Sequence, residues 1–161
     1  MFNVTHKEKA YAKINLYLDV VNKRENGYHD ILSIMQNISL HDVVSVSASK
    51  SDTVNISVDC DDVTVPKGSQ NIAYKAAELF SEMLGESANI EIEIEKNIPS
   101  AAGLAGGSAD AAAVLRLLNK IFDNPFSMNE LCAIGAKVGA DVPFCILQGS
   151  YVAKGDRKSV V

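Results

Sequence analysis

Residues 98–118 read IPSAAGLAGGSADAAAVLRLL, passing from a proline through small residues and three glycines (Gly103, Gly106, Gly107) into Ser108 and an alanine- and leucine-rich stretch. So little side chain lets a ligand come close to the backbone. The helix fed by this loop offers unpaired N–H groups and the positive end of its dipole. Phosphate is the anion that suits such a site best. The plainer alternative is a Gly/Ala-rich turn that only lets a helix pack tightly on its neighbour. Pro99 fixing the start of the loop, Leu104 interrupting the small residues and Ser108 in the N-cap region favour the anion. The pattern is not a Walker loop, because Gly107 stands where that motif needs a lysine. Nor is it the dinucleotide fingerprint, whose glycine spacing is absent.

Just upstream of the loop, residues 89–96 (NIEIEIEK) alternate strictly, which predicts a strand with Ile90, Ile92 and Ile94 in a core. Glu91, Glu93 and Glu95 then form a solvated face rather than a metal site. Strand, loop and a helix from Ser108 or Ala109 to Ile121 make one unit. Ser127 and Glu130 predict a capping box opening a further helix, with Leu131, Ile134 and Val138 inward and Gly139 ending it. The segment GADVP (139–143) places Asp141 just after that stop and Pro143 in the first turn of another short helix. A carboxylate there is commonly an N-cap.

Upstream, residues 10–20 alternate. A strand is predicted with Ala10, Ala12, Ile14, Leu16, Leu18 and Val20 buried and Tyr11, Lys13, Asn15, Tyr17 and Asp19 on the polar side. Lys13 and Asn15 would project together, about 7 Å apart. A strand lysine is, on pattern alone, usually a solvated edge charge. Asn26-Gly27 marks a turn before a second strand over 31–40. Tyr28 and His29, just past the turn, form either a surface pair or a stacking and hydrogen-bonding site for a planar ligand such as a nucleobase. Residues 43–48 and 54–58 read as short strands, which together suggest a largely antiparallel sheet. Ser69 opens a helix with Ile72, Ala76, Leu79, Phe80 and Met83 at helical spacing and Gly85 as its stop. Asn71, near its start, reads as a capping or turn amide. Residues 150–154 form a last strand-like piece. Strands first and helices mostly later point to an α+β fold.

The 161 residues, 47% hydrophobic and 22% charged, are of single-domain size and can fill a core. A net charge of -5 with no basic run argues against a nucleic-acid surface. Cys60, Cys132 and Cys145 are odd in number and far apart, with no metal-ligand spacing, as expected of reduced thiols in a cytoplasmic protein. There is no apolar leader and no run of roughly 18 apolar residues, so neither export nor membrane spanning is expected.

The loop PSAAGLAGGSA (99–109) resembles the phosphate-binding motif of the superfamily named for galactokinase, homoserine kinase, mevalonate kinase and phosphomevalonate kinase, the GHMP kinases. Two further stretches, AKINLYLDVVNKRENGYHDILSIMQNISLHD (12–42) and GADVP (139–143), narrow the likeness. With the loop they resemble the 4-diphosphocytidyl-2-C-methyl-D-erythritol kinases, ATP-dependent kinases of the non-mevalonate route to isoprenoids. The resemblance implies a two-layer, ribosomal-protein-S5-domain-2-like fold. It implies phosphorylation of a hydroxyl of a cytidine diphosphate derivative, with ATP and Mg²⁺.

Roles carry over position by position. Asp141 matches the catalytic aspartate and Lys13 the lysine beside it, which would favour the developing alkoxide. Asn15, Tyr28 and His29 match substrate-binding positions, Tyr28 and His29 at the cytosine. Pro99, Ser100, Ala101, Ala102 and Gly103, then Leu104, Ala105, Gly106, Gly107, Ser108 and Ala109, match the ATP phosphate loop. Asn71 and Lys96 fall where the family lines its adenosine pocket, and no metal ligands are assigned. Family members run to nearly twice this length, with a second, C-terminal domain that closes the cleft. The expectation is therefore an N-terminal domain over 1–161 that folds but transfers little phosphate by itself. The alternatives are another small-molecule kinase of the superfamily and a nucleotide-binding module without catalysis.

Overall fold

A computed structural model describes residues 3–23, 29–155 and 159–160, with side chains over 4–22 and 30–154. Its sheet is built on two long strands, β1 (Asn3–Lys23) and β2 (His29–Lys50), paired antiparallel along their whole length. The other edge of β2 is shared. Its second half pairs antiparallel with β4 (Ala88–Glu95) and its first half with β5 (Ser150–Gly155). β3 (Asn55–Cys60) lies outside β4, in parallel, and β6 (Ser159–Val160) outside β5. The sheet is thus mixed rather than wholly antiparallel. Residues 43–48 are not a separate strand but the continuation of β2, since no breaker interrupts the β-branched run after Asp42.

Helices α1 (Ile72–Leu84), α2 (Gly106–Ile121), α3 (Met128–Val138) and α4 (Val142–Leu147) supply the second layer. In β4 the alternation holds: Ile90, Ile92 and Ile94 are buried and the three glutamates exposed, so one face of that strand meets the core. α2 lies on β1 and β2 and against α1. Ala109, Ala111, Ala112 and Ala113 are all buried in that contact, where their small side chains allow close approach. Phe80, Leu115, Leu118 and Phe144 are among the largest fully buried side chains of the core.

Helix ends obey their signals except at the starts of α1, α2 and α4. Ser127 and Glu130 form the capping box, and Gly85 ends α1 in the left-handed region at φ 72°. α1 starts at Ile72 after a short 3₁₀ turn (Gly68–Gln70), not at Ser69, and Asn71 caps it by accepting from the Ala73 N–H. α2 starts at Gly106, so Ser108 sits inside its first turn and not at the cap. The N-cap is Ala105, left-handed at φ 57°, with no side-chain bond.

The burial expected along β1 fails beyond Ala12. Register shifts fall between Tyr11 and Lys13, Asn15 and Tyr17, and Val20 and Asn22. The first bulge puts Ala12 and Lys13 on the buried side together, and residues 15–22 are exposed on both faces, so that half of β1 meets no core among the described residues. Ala10 and Ala12 are buried, but so is Lys13, while Leu16, Leu18 and Val20 are 61%, 50% and 58% exposed. No helix of the described residues is long and apolar enough to cross a membrane.

Candidate active site

A cavity of about 610 Å³ opens between the start of α2, the middle of β1, the segment before α1 and the start of α4. That is a size suited to a small-molecule ligand. It is lined by Lys13, Asn15, Asn71, Lys96, residues 99–108 and Asp141, which the fold gathers from stretches far apart in the chain. Ala109 is outside the lining, buried beneath the loop. Tyr28 and the side chain of His29 lie outside the described residues, as does the Asn26-Gly27 turn.

The loop owes its shape to three left-handed residues, Ala101 (φ 58°), Gly103 (φ 75°) and Ala105 (φ 57°). Because no side chain caps α2, its first-turn N–H groups are left to the cavity that Gly106, Gly107 and Ser108 line. Gly106 has little room for a side chain: a Cβ there would stand 3.0 Å from Ile98 Cγ2 and 3.3 Å from Lys96 Nζ. Leu104 anchors the middle of the loop, its side chain packing on the core.

At the other end of the cavity, Asp141 occupies the N-cap position of α4, yet its carboxylate makes no cap bond. Oδ2 stands 3.6 Å from Lys13 Nζ instead, with the lysine side chain almost fully buried. Oδ1 is buried with no hydrogen-bond partner among the described residues. A desolvated carboxylate oxygen without a donor is costly unless something binds it. The position depends on close helix packing. A Cβ on Gly135 of α3 would meet Ile146 Cδ1 at 2.7 Å and Val142 Cγ1 at 2.9 Å, so only glycine lets α3 press α4 against it.

Lys96 is committed more fully than its sequence position suggests. Its ammonium bonds Asp42 Oδ2 and, at 2.8 Å, Asp110 Oδ2, and all three side chains are buried. Asp42 Oδ1 also accepts from the N–H groups of Asn97 (2.6 Å) and Ile98 (2.8 Å), fixing the start of the loop. Burial pushes the Asp110 carboxyl up to about 7, and the Asp42 charge adds to this against the pull of Lys96. Burial alone would lower the Lys96 amine, but the two carboxylates outweigh it and leave it raised. Both results describe one ammonium shared by two carboxylates in a dry place. Sequence reading missed Asp42 and Asp110 because their partner is 54 and 14 residues away.

Asn71 is also spent. Its Oδ1 accepts from Ala73 N–H and its Nδ2 donates to the Pro66 carbonyl, each at 2.8 Å. Burial pushes the Cys145 thiol up to about 12, with the Asp141 charge contributing, and raises Cys60 and Cys132 as well. All three cysteines are free thiols and none is poised as a nucleophile. Among the described residues no group of three or more His, Cys, Asp or Glu could hold a metal by itself.

Residues 71–149 match the family of GHMP kinases N terminal domains. The 4-diphosphocytidyl-2-C-methyl-D-erythritol kinase of Acetivibrio thermocellus is 52% identical over 147 residues, 91% of this chain and 51% of the relative. That of Caldicellulosiruptor bescii is 48% identical over 155 residues, 96% of this chain and 54% of the relative. The chain therefore spans about half the length of the curated relatives it matches. A crystal structure of 4-(cytidine 5'-diphospho)-2C-methyl-D-erythritol kinase superposes with a TM-score of 0.81 at 34% identity, covering 97% of this chain and 54% of that one. A homoserine kinase from Cytophaga hutchinsonii, TM-score 0.70 at 22% identity over 92% of this chain and 48% of that one, shares the fold.

Proposed function

We infer a specific activity for this chain, which belongs to the GHMP kinases through their N-terminal domain and whose relatives are small-molecule kinases. It is ATP-dependent phosphorylation of a hydroxyl of 4-diphosphocytidyl-2-C-methyl-D-erythritol, a cytoplasmic step of non-mevalonate isoprenoid precursor synthesis. The observation that carries the reading is the Lys13–Asp141 pair, 3.6 Å apart and sharing one cavity with the uncapped N-terminus of α2.

Phosphoryl transfer needs placement and charge stabilisation more than covalent help from the protein. The N–H groups of the loop and the positive end of α2 would hold the phosphates. Asp141 would accept the proton of the substrate hydroxyl through its unpartnered Oδ1. The Lys13 ammonium would stabilise the negative charge that develops on the attacking oxygen. Asn15 lines the same cavity, its Oδ1 accepting from the Ser33 hydroxyl at 3.0 Å, and would bind the substrate. Tyr28 and His29 would complete that site at the cytosine. Asn71 and Lys96 would border the adenosine as shaped, pre-bonded walls. Mg²⁺ fits as a metal that arrives on the nucleotide, since the lining offers the Ser108 hydroxyl and the Asp141 carboxylate as oxygen donors. It would supply charge neutralisation on the phosphates.

The test is transfer of the γ-phosphoryl group of [γ-³²P]ATP to 4-diphosphocytidyl-2-C-methyl-D-erythritol by the intact gene product. Labelled product is expected with this acceptor and not with homoserine or mevalonate. Equal labelling of those alcohols, or none of any, would refute the assignment.

A further inference from the structure

Neither the phosphate loop nor the Lys13–Asp141 pair accounts for Arg116, a cation in the middle of α2 that takes no part in lining the cavity. Its Nε and Nη2 donate to Glu8 Oε1 of β1 at 2.9 and 2.5 Å. Its Nη1 donates to the carbonyls of Cys145 (2.6 Å) and Ile146 (3.3 Å) on α4. The guanidinium is mostly buried and has committed donors to two elements that otherwise touch little.

Those two elements carry the reacting pair. Glu8 lies five residues before Lys13 on β1, and Cys145 four residues after Asp141. The Cys145 N–H in turn donates to the Asp141 carbonyl at 3.1 Å, so a chain of bonds runs from Arg116 to the backbone of Asp141. α4 has only six residues, too short to be stable by itself, and its terminal carbonyls have no intrahelical donors. Arg116 supplies those donors. The planar fork of arginine presents its donors in fixed, divergent directions, so this one residue holds the Glu8 carboxylate and the α4 carbonyls at once.

We propose that Arg116 is a positioning residue that sets the distance between the Lys13 amine and the Asp141 carboxylate by clasping β1 to α4. The proposal rests on the reading of Lys13 and Asp141 as the reacting pair. It assigns Arg116 to the transfer step and not to nucleotide binding, although Arg116 and the loop share a helix. Burial raises the Glu8 carboxyl while Arg116 pulls it down, as expected of an ion pair held out of water.

Two readouts test it. In the intact gene product, Arg116→Met is expected to lower kcat on the order of 10- to 100-fold with KM for ATP changed less than about 2-fold, as for a displaced catalytic group. Arg116→Lys, which keeps the charge but not the fixed fork, should fall between. In the 161-residue chain labelled with ¹³C, the Asp141 Cγ resonance should move in both variants while that of Asp62, which follows β3 and belongs to neither element that Arg116 joins, stays. An unmoved Asp141 resonance in either folded variant, or a KM that rises as much as kcat falls, overturns the proposal. If Arg116→Met does not fold, Arg116→Lys and Glu8→Gln decide by the same criteria. Should the unsubstituted protein transfer no phosphate, the functional reading fails while the resonance still decides the clasp.

Discussion

The backbone N–H of Lys13 donates to the carbonyl of Leu104 over 3.0 Å, joining the strand that carries the amine to the loop that would carry the phosphates. The bond falls just past the first bulge of β1, on the strand edge that β2 does not occupy. The glycine loop thus takes the place of a neighbouring strand there. Loop and lysine are fixed relative to each other by main chain, so side-chain changes in either should alter chemistry more than geometry.

Lys13→Ala and Asp141→Asn are therefore expected to separate binding from transfer. In the intact gene product each should lower kcat by about 10² to 10⁴, the range for losing a positioned base or a charge stabiliser. Calorimetric titration of the 161-residue Asp141→Asn chain with ATP should give a dissociation constant within a few-fold of the unsubstituted chain. A matching loss of affinity would place Asp141 in nucleotide binding instead.

Asp110 predicts a pH dependence of stability. Its folded pKa, about 7, lies above the ordinary carboxylate value of 3.8, so the folded state holds this proton more tightly. The resulting stabilisation is full below pH 3.8 and is lost as pH rises towards 7. Asp110→Asn should remove that slope. The unfolding free energy of the variant, relative to the unsubstituted chain, is expected to rise between about pH 4 and 7 and level off above. A flat difference across that window would contradict the shift.

Gly135→Ala places a methyl where Ile146 Cδ1 and Val142 Cγ1 already stand at 2.7 and 2.9 Å. Val142 is β-branched and stiff, so the helices must part. A loss of about 1–3 kcal/mol is expected from overpacking, read as a fall in melting temperature of several degrees. The same displacement moves α4, so transfer in the intact gene product should fall more steeply than ATP affinity.

Ala105 holds a left-handed φ of 57° that an L side chain adopts at a cost. Ala105→Gly is expected to stabilise the chain by up to about 1 kcal/mol, measured by denaturant titration. A destabilised variant would mean that the methyl packing outweighs the strain.

Much of the fold is legible in the sequence where the signal is local. The strict alternation of 89–96, the Ser127 and Glu130 box and the proline after Asp141 each act within one turn or strand, and each element stands where those residues place it. β1 is not legible past Ala12, because a bulge changes which face a residue takes without changing composition. That is why Lys13 is buried beside Ala12, whereas Leu16 and Leu18 are exposed because neither face of β1 over residues 15–22 is covered by another described element. Ser108 misleads for a related reason: a hydroxyl is the usual N-cap, but the left-handed Ala105 already starts the helix. The partners of Lys96 and Arg116 come from other elements, β2 and α2 for the one and β1 and α4 for the other, and no spacing along the chain encodes them.

The loop between β4 and α2 is fastened at three points: Asp42 grips its first two amides, Leu104 sinks into the interior, and α2 takes up its end. Its conformational freedom is surrendered when the chain folds and not when a nucleotide arrives. Calorimetry of ATP association should accordingly record only a modest entropic penalty from this segment, with amide exchange at Asn97 and Ile98 already slow in the empty protein.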